Sequence, residues 1–175
     1  MRRIVLALSV LSSLAFSSGI PFKLDHASDV AQVIASSRHE ILMLVPSLRS
    51  RAVADALRKA VVEGGVSLEI LCDASSVNER SSFIPMLSLL HQRKHKVTVR
   101  VLRGINRATL IGDESRAVFG PLISEPDSFG LQPTRLVTDG LEAQVQARAF
   151  RVQWQRAIPW TYTLNAPSFK TGGQK

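Results

Sequence analysis

The sequence predicts an α/β domain in which helices cover both faces of a mixed, mostly parallel β-sheet. Short, continuous apolar runs alternate with amphipathic segments of helical period, and this alternation is typical of a sheet that lies between helical layers. A length of 175 residues with 45% apolar content is sufficient for a buried core. The sequence therefore predicts a single domain.

The first half of the chain alternates helices with strands. Residues 25–37 carry apolar side chains at helical spacing, and residues 40–45 form a continuous apolar run that a proline ends, as in a strand buried on both faces. Residues 47–63 place alanines, valines and leucines on one stripe with arginines mostly off it, which predicts an amphipathic helix that a Gly-Gly pair ends. Residues 66–72 predict the next strand.

The second half of the chain is richer in strands. A short helix with a proline in its first turn precedes three strand-like runs, a segment rich in breakers, one more strand and a long helix. The predicted bounds are, in order, 82–92 for the helix, 97–102, 109–111 and 117–119 for the strands, 121–133 for the loop, 135–138 for the last strand and 140–158 for the last helix.

The N-terminus has the pattern of a secretory signal. Two arginines precede an apolar run over residues 4–16, which is shorter than the roughly 20 residues of a membrane span, so a signal peptide is predicted over residues 1–19. This predicts export to the periplasm or secretion, with a buried N-terminal strand or an uncleaved anchor as the alternatives. Residues 20–160 then form the domain, and residues 161–175 a flexible C-terminal tail.

The chain is strongly basic. It carries 22 Lys and Arg against 14 Asp and Glu, a formal charge of +8. Such an excess favours anionic partners, which are nucleic acid, another polyanion, or acidic lipid headgroups in a peripheral membrane contact. The alternative is a basic surface without a specific partner.

The lone cysteine has no partner for a disulfide within the chain. Cys72 lies in a strand-like apolar run, where a buried and unreactive thiol is the expected state. The sequence therefore gives no reason to assign it a catalytic role.

Residues 99–120 carry the most informative pattern in the chain. Two strand-like runs flank a polar corner at residues 104–107, the second run ends at Asp113, and Gly120 follows after six residues. This layout resembles the signature segment of the phospholipase D superfamily, H-x-K-x4-D followed by six residues and a glycine. The order of elements resembles the single-copy, secreted bacterial endonuclease branch of that superfamily over nearly the whole mature chain.

The resemblance implies a fold and a mechanism with parts missing. In the family, one motif's histidine attacks phosphorus, a second motif's histidine protonates the leaving group, and lysines hold phosphate oxygens. Two motifs make one site, so a single-copy chain is expected to form a homodimer. In this sequence Asn106 stands at the histidine position and Ala108 at the lysine position, whereas Asp113 is retained.

The two substitutions remove the chemistry that the family motif supplies. An amide cannot act as the nucleophile or move a proton near neutral pH, and a methyl group carries no charge. The resemblance therefore implies a phospholipase D-like domain with a degenerate motif. No cofactor and no metal are expected, since no metal-ligand spacing accompanies the histidines.

Two sets of basic residues are candidates for anion binding. Arg103 and Arg107 flank the corner where the family holds phosphate, and a guanidinium group suits phosphate. Arg93, Lys94 and Lys96 lie within four positions of one another and can pair with phosphates without reading bases.

Three hypotheses of function follow from these observations. The first is an exported, catalytically degenerate phospholipase D-like protein that dimerises and binds a phosphate-bearing partner. The second is an active phosphodiesterase or endonuclease with an altered residue set or a motif supplied by a partner chain. The third is a non-specific nucleic-acid binding module driven by the second basic set.

Overall fold

A computed structural model describes residues 22–125 and 133–162. The predicted signal peptide, most of the predicted loop over residues 121–133, and residues 163–175 of the predicted tail lie outside the described residues. The elements are β1 (Phe22–Leu24), α1 (Ala27–Ser36), β2 (Glu40–Val45), α2 (Arg51–Val62), β3 (Ser67–Asp73), α3 (Ile84–Gln92), β4 (Val97–Leu102), β5 (Thr109–Gly112), β6 (Arg116–Phe119), a 3-10 turn (Pro121–Ile123), β7 (Thr134–Val137), α4 (Gly140–Arg156) and β8 (Ile158–Trp160).

The strands form one mixed sheet in the order β1-β7-β6-β5-β2-β3-β4-β8. The α/β fold class is confirmed, but the prediction of a mostly parallel sheet is wrong in that detail. Only β2, β3 and β4 pair in parallel, and every other described pairing is antiparallel. The reason is connection length: helices join the three parallel strands, whereas a turn of three residues joins β5 to β6 and permits only an antiparallel neighbour.

Helices cover both faces of the sheet, as predicted. The helices α1, α2 and α3 pack with one apolar cluster that includes Ile41, Met43 and Ile70. Of the described helices, only α4 covers the other face, where Ala143, Ala147 and Phe150 pack with alternate residues of the same strands. Strand β2 is buried over most of its length because successive side chains enter opposite clusters.

Two short edge strands, β1 and β8, were not predicted. The last helix was expected to reach residue 158, but α4 ends at Arg156 and β8 pairs with β4. Pro159 accounts for this end, since a proline disfavours helical backbone at the residue before it. Within residues 22–125 and 133–162, every helix is too short or too polar to cross a bilayer.

Candidate functional site

The corner between β4 and β5 lies beyond the carboxyl ends of the three parallel strands, at one end of the sheet. An open cavity of about 450 Å³ lies there. Ligands of α/β proteins bind outside the carboxyl ends of such strands. The described residues that line the cavity are Pro46, Asn106, Arg107, Ala108, Thr109, Phe119, Gly120, Pro121, Ser124, Pro133 and Arg135.

Asp73, the last residue of β3, fixes the backbone of the corner. Its carboxylate Oδ2 accepts hydrogen bonds from the backbone N–H groups of Gly104 at 2.8 Å and Ile105 at 2.9 Å. Its Oδ1 accepts from the hydroxyl of Ser75 at 2.5 Å and from the backbone N–H of the same residue at 2.8 Å. The Ser75 hydroxyl, together with these backbone donors, holds the pKa of Asp73 below its ordinary value although burial opposes the shift.

Asn106 and Ala108, the residues that the resemblance aligns with the family's histidine and lysine, both line the cavity. The side chain of Asn106 is exposed, whereas Ala108 is 9% exposed and joins the apolar cluster beneath the three helices. The structure thus brings these two predicted positions together at one cavity. Of the described residues that line it, none is a histidine, a lysine or a carboxylate.

Arg107 and Arg135 supply the positive charge of the cavity. Arg107 is exposed at the corner, as the sequence predicted. Arg135 comes from β7, where its guanidinium carbon lies 5.0 Å from the centre of the Phe119 ring and a nitrogen lies 3.9 Å from a carboxylate oxygen of Glu142. These contacts hold the Arg135 side chain beside the cavity mouth.

Arg135 was not among the predicted site residues. Its signal in the sequence is weak, namely one charged residue that alternates with Thr134 and Leu136 in a strand-like run. Nothing in that pattern tells which strand lies next to the corner. The antiparallel pairing of β6 with β7 sets Arg135 opposite Phe119 and so brings it to the cavity.

Arg103 lies apart from that pair. It lines a separate open cavity of about 510 Å³ with Asp73, Ala74, Ser75 and Gly104. The sequence placed Arg103 and Arg107 together on either side of a phosphate site. The structure places only Arg107 in the cavity of Asn106.

Asp113, the aspartate of the sequence resemblance, lies at the other end of β5. Its carboxylate accepts hydrogen bonds from the backbone N–H groups of Arg38, His39 and Glu40 at 2.8, 2.8 and 3.0 Å. Burial disfavours the charged form, but the donors from Glu40, Arg38 and His39 outweigh it, so the pKa of Asp113 lies below its ordinary value. Asp113 thus closes the turn between α1 and β2, at the opposite end of β5 from Asn106.

Gly120 meets a steric requirement on the cavity wall. Its φ is 136°, a backbone conformation that favours glycine. A Cβ at this position would lie 2.6 Å from both the Cα and the Oγ1 of Thr134. The glycine therefore permits the close approach of the chain after β6 to β7.

The predicted basic patch lies at the far end of the sheet from the cavity. Arg93, Lys94 and Lys96 follow α3 and precede β4, and all three are exposed. Lys94 has a φ of 66°, in the left-handed region that commonly ends a helix. Among the ion pairs of the described residues, none involves these three side chains.

A charged cluster between α4 and the sheet was missed by sequence reasoning. Arg151 donates to the carboxylates of Glu40 at 2.7 Å and Glu69 at 2.8 Å. Burial opposes the charge on Arg151, but the two carboxylates and Glu114 outweigh it and raise its pKa. No periodicity could reveal this cluster, because its members come from two strands and a helix that are far apart in sequence.

The histidines, acids and cysteine of the described ranges do not gather into a site with metal-ligating composition. No group of three or more such side chains that could hold a metal occurs in residues 22–125 and 133–162. Cys72 is fully buried, and burial raises the pKa of its thiol to about 12.

The cavity at the corner offers two guanidinium groups, an amide and hydroxyl groups, a set that suits an anion.

Comparison with known proteins identifies the fold of this chain through solved structures. No family model matches the sequence, and no curated protein matches it. Among solved structures, Nuc from Salmonella typhimurium, a phospholipase D family member, superposes with a TM-score of 0.65 and 16% identity over 77% of this chain and 90% of Nuc. The chain has the phospholipase D fold. The fold that the sequence resemblance implied is thereby confirmed.

Two further structures share this fold. NucT from Helicobacter pylori has a TM-score of 0.62 and 19% identity over 81% of this chain and 98% of NucT. TrmBL2, an archaeal chromatin protein with a novel mode of DNA binding, has a TM-score of 0.62 and 17% identity over 84% of this chain and 57% of TrmBL2. The phospholipase D fold therefore accounts for most of the described chain.

Proposed function

We propose that this protein binds a phosphate-bearing anion in the cavity at the β4–β5 corner and does not carry out phospholipase D-type phosphodiester cleavage. The observation that supports this proposal is that Arg107 and Arg135 line the same cavity, whose described lining holds no acidic side chain. A guanidinium group presents paired N–H donors in the geometry that phosphate oxygens accept.

The lining also argues against cleavage by the family's route. That route requires a histidine nucleophile and a lysine at the positions that Asn106 and Ala108 occupy. Asn106 offers a neutral amide, which can donate a hydrogen bond to a phosphate oxygen but cannot attack phosphorus usefully. The cavity therefore has groups that can bind an anion, but it lacks the histidine and the lysine that the family uses for phosphoryl transfer.

The test combines an activity assay with a binding assay on the same proteins. We expect no turnover of a phosphodiester model substrate or of DNA by the natural sequence, and we expect inorganic phosphate to bind with an affinity that falls about tenfold in Arg107→Ala, the loss of one charge-assisted contact. Arg58→Ala, an exposed arginine of α2, is the matched control and should bind as the natural protein does.

A double variant tests whether the corner still has the geometry for catalysis. Asn106→His combined with Ala108→Lys restores the family's residue types at the cavity. Turnover by this variant, with none by the natural protein, would support two points. The corner would keep the family's geometry, and the residues at positions 106 and 108 would account for the missing activity. Turnover by the natural protein that Asn106→Ala abolishes would contradict the proposal, and co-purification of a chain with an intact motif would favour a partner-supplied active site.

Homodimerisation and export are part of the same proposal. The single copy of the motif supports a homodimer, because the family builds one site from two motifs. Sedimentation of the purified protein at twice the mass of one chain is the expected result. The basic and apolar N-terminus supports export, and N-terminal sequencing of the exported protein should find residues 1–19 removed.

A second candidate function is non-specific binding of nucleic acid by the basic patch. Its support is the exposure of Arg93, Lys94 and Lys96, whose charges no described carboxylate compensates. Binding of this kind releases counterions, so affinity should fall steeply with salt and should weaken when two of these charges are reversed. Affinity that does not depend on salt would contradict it.

A further inference from the structure

The basic patch has aromatic neighbours that its sequence position does not reveal. Strand β8 pairs with β4 antiparallel, which places Trp160 opposite Val99 on the face that α3 covers. The amide of Gln92, the last residue of α3, donates a hydrogen bond of 3.3 Å to the backbone carbonyl of Tyr162. The chain after β8 is thus held beside the end of α3, one residue before the first cation of the patch.

Trp160 and Tyr162 form a pair of rings at this place. Their ring centres are 6.1 Å apart with an angle of 35° between the planes, and both side chains are half-buried. Trp160 packs in part against the apolar cluster, which fixes its position. Trp154 differs from this pair, since its ring stacks on Phe150 at 5.4 Å within the core beneath α4.

Two neighbouring clefts lie beside Trp160 and beside two cations of the patch, Lys94 and Lys96. The first, of about 90 Å³, is lined by Trp160, Pro159 and the C-terminal turn of α3. The second, of about 360 Å³, is lined by Lys94, His95 and Lys96. His91 and Thr98 line both clefts, so the two openings are neighbours.

The charge of this surface is nearly uncompensated. Glu69 is the acidic residue that lines the second cleft, but its carboxylate is held by Arg151 at 2.8 Å. The three cations of the patch are therefore available to a ligand. A run of phosphates is the ligand chemistry that several unpaired cations in sequence favour.

We propose that Trp160, Tyr162, Arg93, Lys94 and Lys96 form a binding surface for single-stranded nucleic acid. The cations contact successive phosphates and the aromatic rings stack on bases. Aromatic stacking on single strands does not depend on base identity, because every base has a π-face, and a duplex keeps its faces stacked within the helix. This inference rests on the second candidate function and is independent of the cavity at Asn106.

The test measures binding of a fluorescently labelled 16-mer of deoxythymidine, alone and as a duplex, by anisotropy over a range of salt. We expect the single strand to bind more tightly than the duplex. Tyr162→Ala should weaken binding of the single strand about five- to a hundredfold with an unchanged salt slope, whereas Tyr162→Phe, which keeps the ring, should bind as the natural protein does.

Charge reversal tests the phosphate contacts separately. Arg93→Glu combined with Lys96→Glu should weaken binding and reduce the salt slope by about 1.4, since each phosphate contact to a single strand contributes roughly 0.7. Arg58→Glu combined with Lys59→Glu on α2 is the matched control and should leave the slope unchanged. Circular dichroism of each variant verifies that it is folded.

The outcomes separate this inference from the function on which it rests. Equal binding of duplex and single strand, weakened by charge reversal but unaffected by Tyr162→Ala, would overturn the stacking surface and keep the basic patch. Salt-independent or absent binding would overturn both. Binding to anionic phosphatidylglycerol vesicles but not to either oligonucleotide would overturn both in favour of a membrane contact.

Discussion

The carboxylate of Asp113 accepts a 2.8 Å hydrogen bond from the backbone N–H of His39, which lies 74 residues earlier in the chain. Two further N–H groups, of Arg38 and Glu40, donate to the same carboxylate. A side chain with three backbone donors closes the turn before the central strand, so Asp113 stabilises the fold at a distance from the cavity. Removing its charge should therefore affect stability more than ligand binding.

Asp113→Asn is expected to lower the free energy of unfolding by roughly 1–3 kcal/mol, because an amide cannot accept from all three donors and turns its own N–H toward one of them. Urea denaturation at pH 7 measures the change. Asp55→Asn, at an exposed position of α2, should remain within about 0.5 kcal/mol of the natural protein. Loss of phosphate binding in a folded Asp113→Asn variant would contradict the structural role.

Acid should destabilise the protein through Asp113 and Asp73. Both carboxyl groups have a folded-state pKa below the unfolded value of about 3.9, so their stabilisation is present above that pH and is lost as the pH falls through the folded values. Urea denaturation between pH 5 and pH 2.5 should show a steady decrease in stability. The decrease should be shallower in Asp113→Asn, and an unchanged slope would show that Asp113 contributes nothing to it.

Gly120→Ala is expected to destabilise the fold by about 1–3 kcal/mol, since the new methyl group meets the backbone of Thr134 and the φ of 136° is unfavourable for alanine. Gly140 provides a matched control, because a Cβ there meets nothing within 4 Å. Thermal denaturation of both variants tests the difference. Equal melting temperatures would contradict the steric conflict with Thr134.

Arg151→Met should leave Glu40 and Glu69 without a partner. Each carboxylate is 24% exposed, so the loss at pH 7 should be about 1–3 kcal/mol, less than for a fully buried pair. Burial raises the pKa of Glu69 and the charge of Arg151 opposes that rise, so without Arg151 the Glu69 carboxylate protonates more readily. The deficit relative to the natural protein should therefore shrink as the pH falls toward 4. Arg148→Met, exposed on the same helix, is the control, and a deficit independent of pH would contradict the electrostatic cause.

Cys72 should resist thiol reagents in the folded protein. Burial raises the pKa of this thiol to about 12, so almost none is thiolate at pH 8, and the side chain is 0% exposed. Ellman's reagent is expected to label one thiol per chain in 6 M guanidinium chloride and none within minutes in buffer. Rapid labelling of the folded protein would place the thiol at the surface.

Sequence periodicity predicted most of the regular elements of the fold but not the arrangement of the sheet. The apolar stripe of α2 and the continuous run of β2 each follow from their own burial. Strand β2 has the predicted bounds, and α2 lies within the predicted 47–63 but begins at Arg51. The three-residue strands β1 and β8 carry too few residues to show a period. The antiparallel half of the sheet depends on pairing partners, which periodicity within a segment does not encode.

The position of the candidate site could be predicted from the sequence, but only some of its residues could. The spacing from Asn106 to Gly120 located the corner, because that information is local in sequence. Arg135 and Asp73 were not predicted. Arg135 reaches the corner only through strand pairing, and Asp73 only through hydrogen bonds to residues 31 or more positions away in the chain. The aromatic pair of Trp160 and Tyr162 could not be placed beside the basic patch from the sequence, because their position there depends on the pairing of β8 with β4.

The hydrogen bonds from the backbone of Gly104 and Ile105 to Asp73 bear on how new chemistry can be introduced into this protein. Designed active sites often fail because the segment that carries the reactive group is loosely held. Here a buried carboxylate on one strand secures the two residues that precede Asn106, and the pairing of β5 with β2 secures the residues that follow. A reactive side chain introduced at position 106 would thus be attached to backbone that is already restrained on both sides, and engineering effort can go to the side chains themselves.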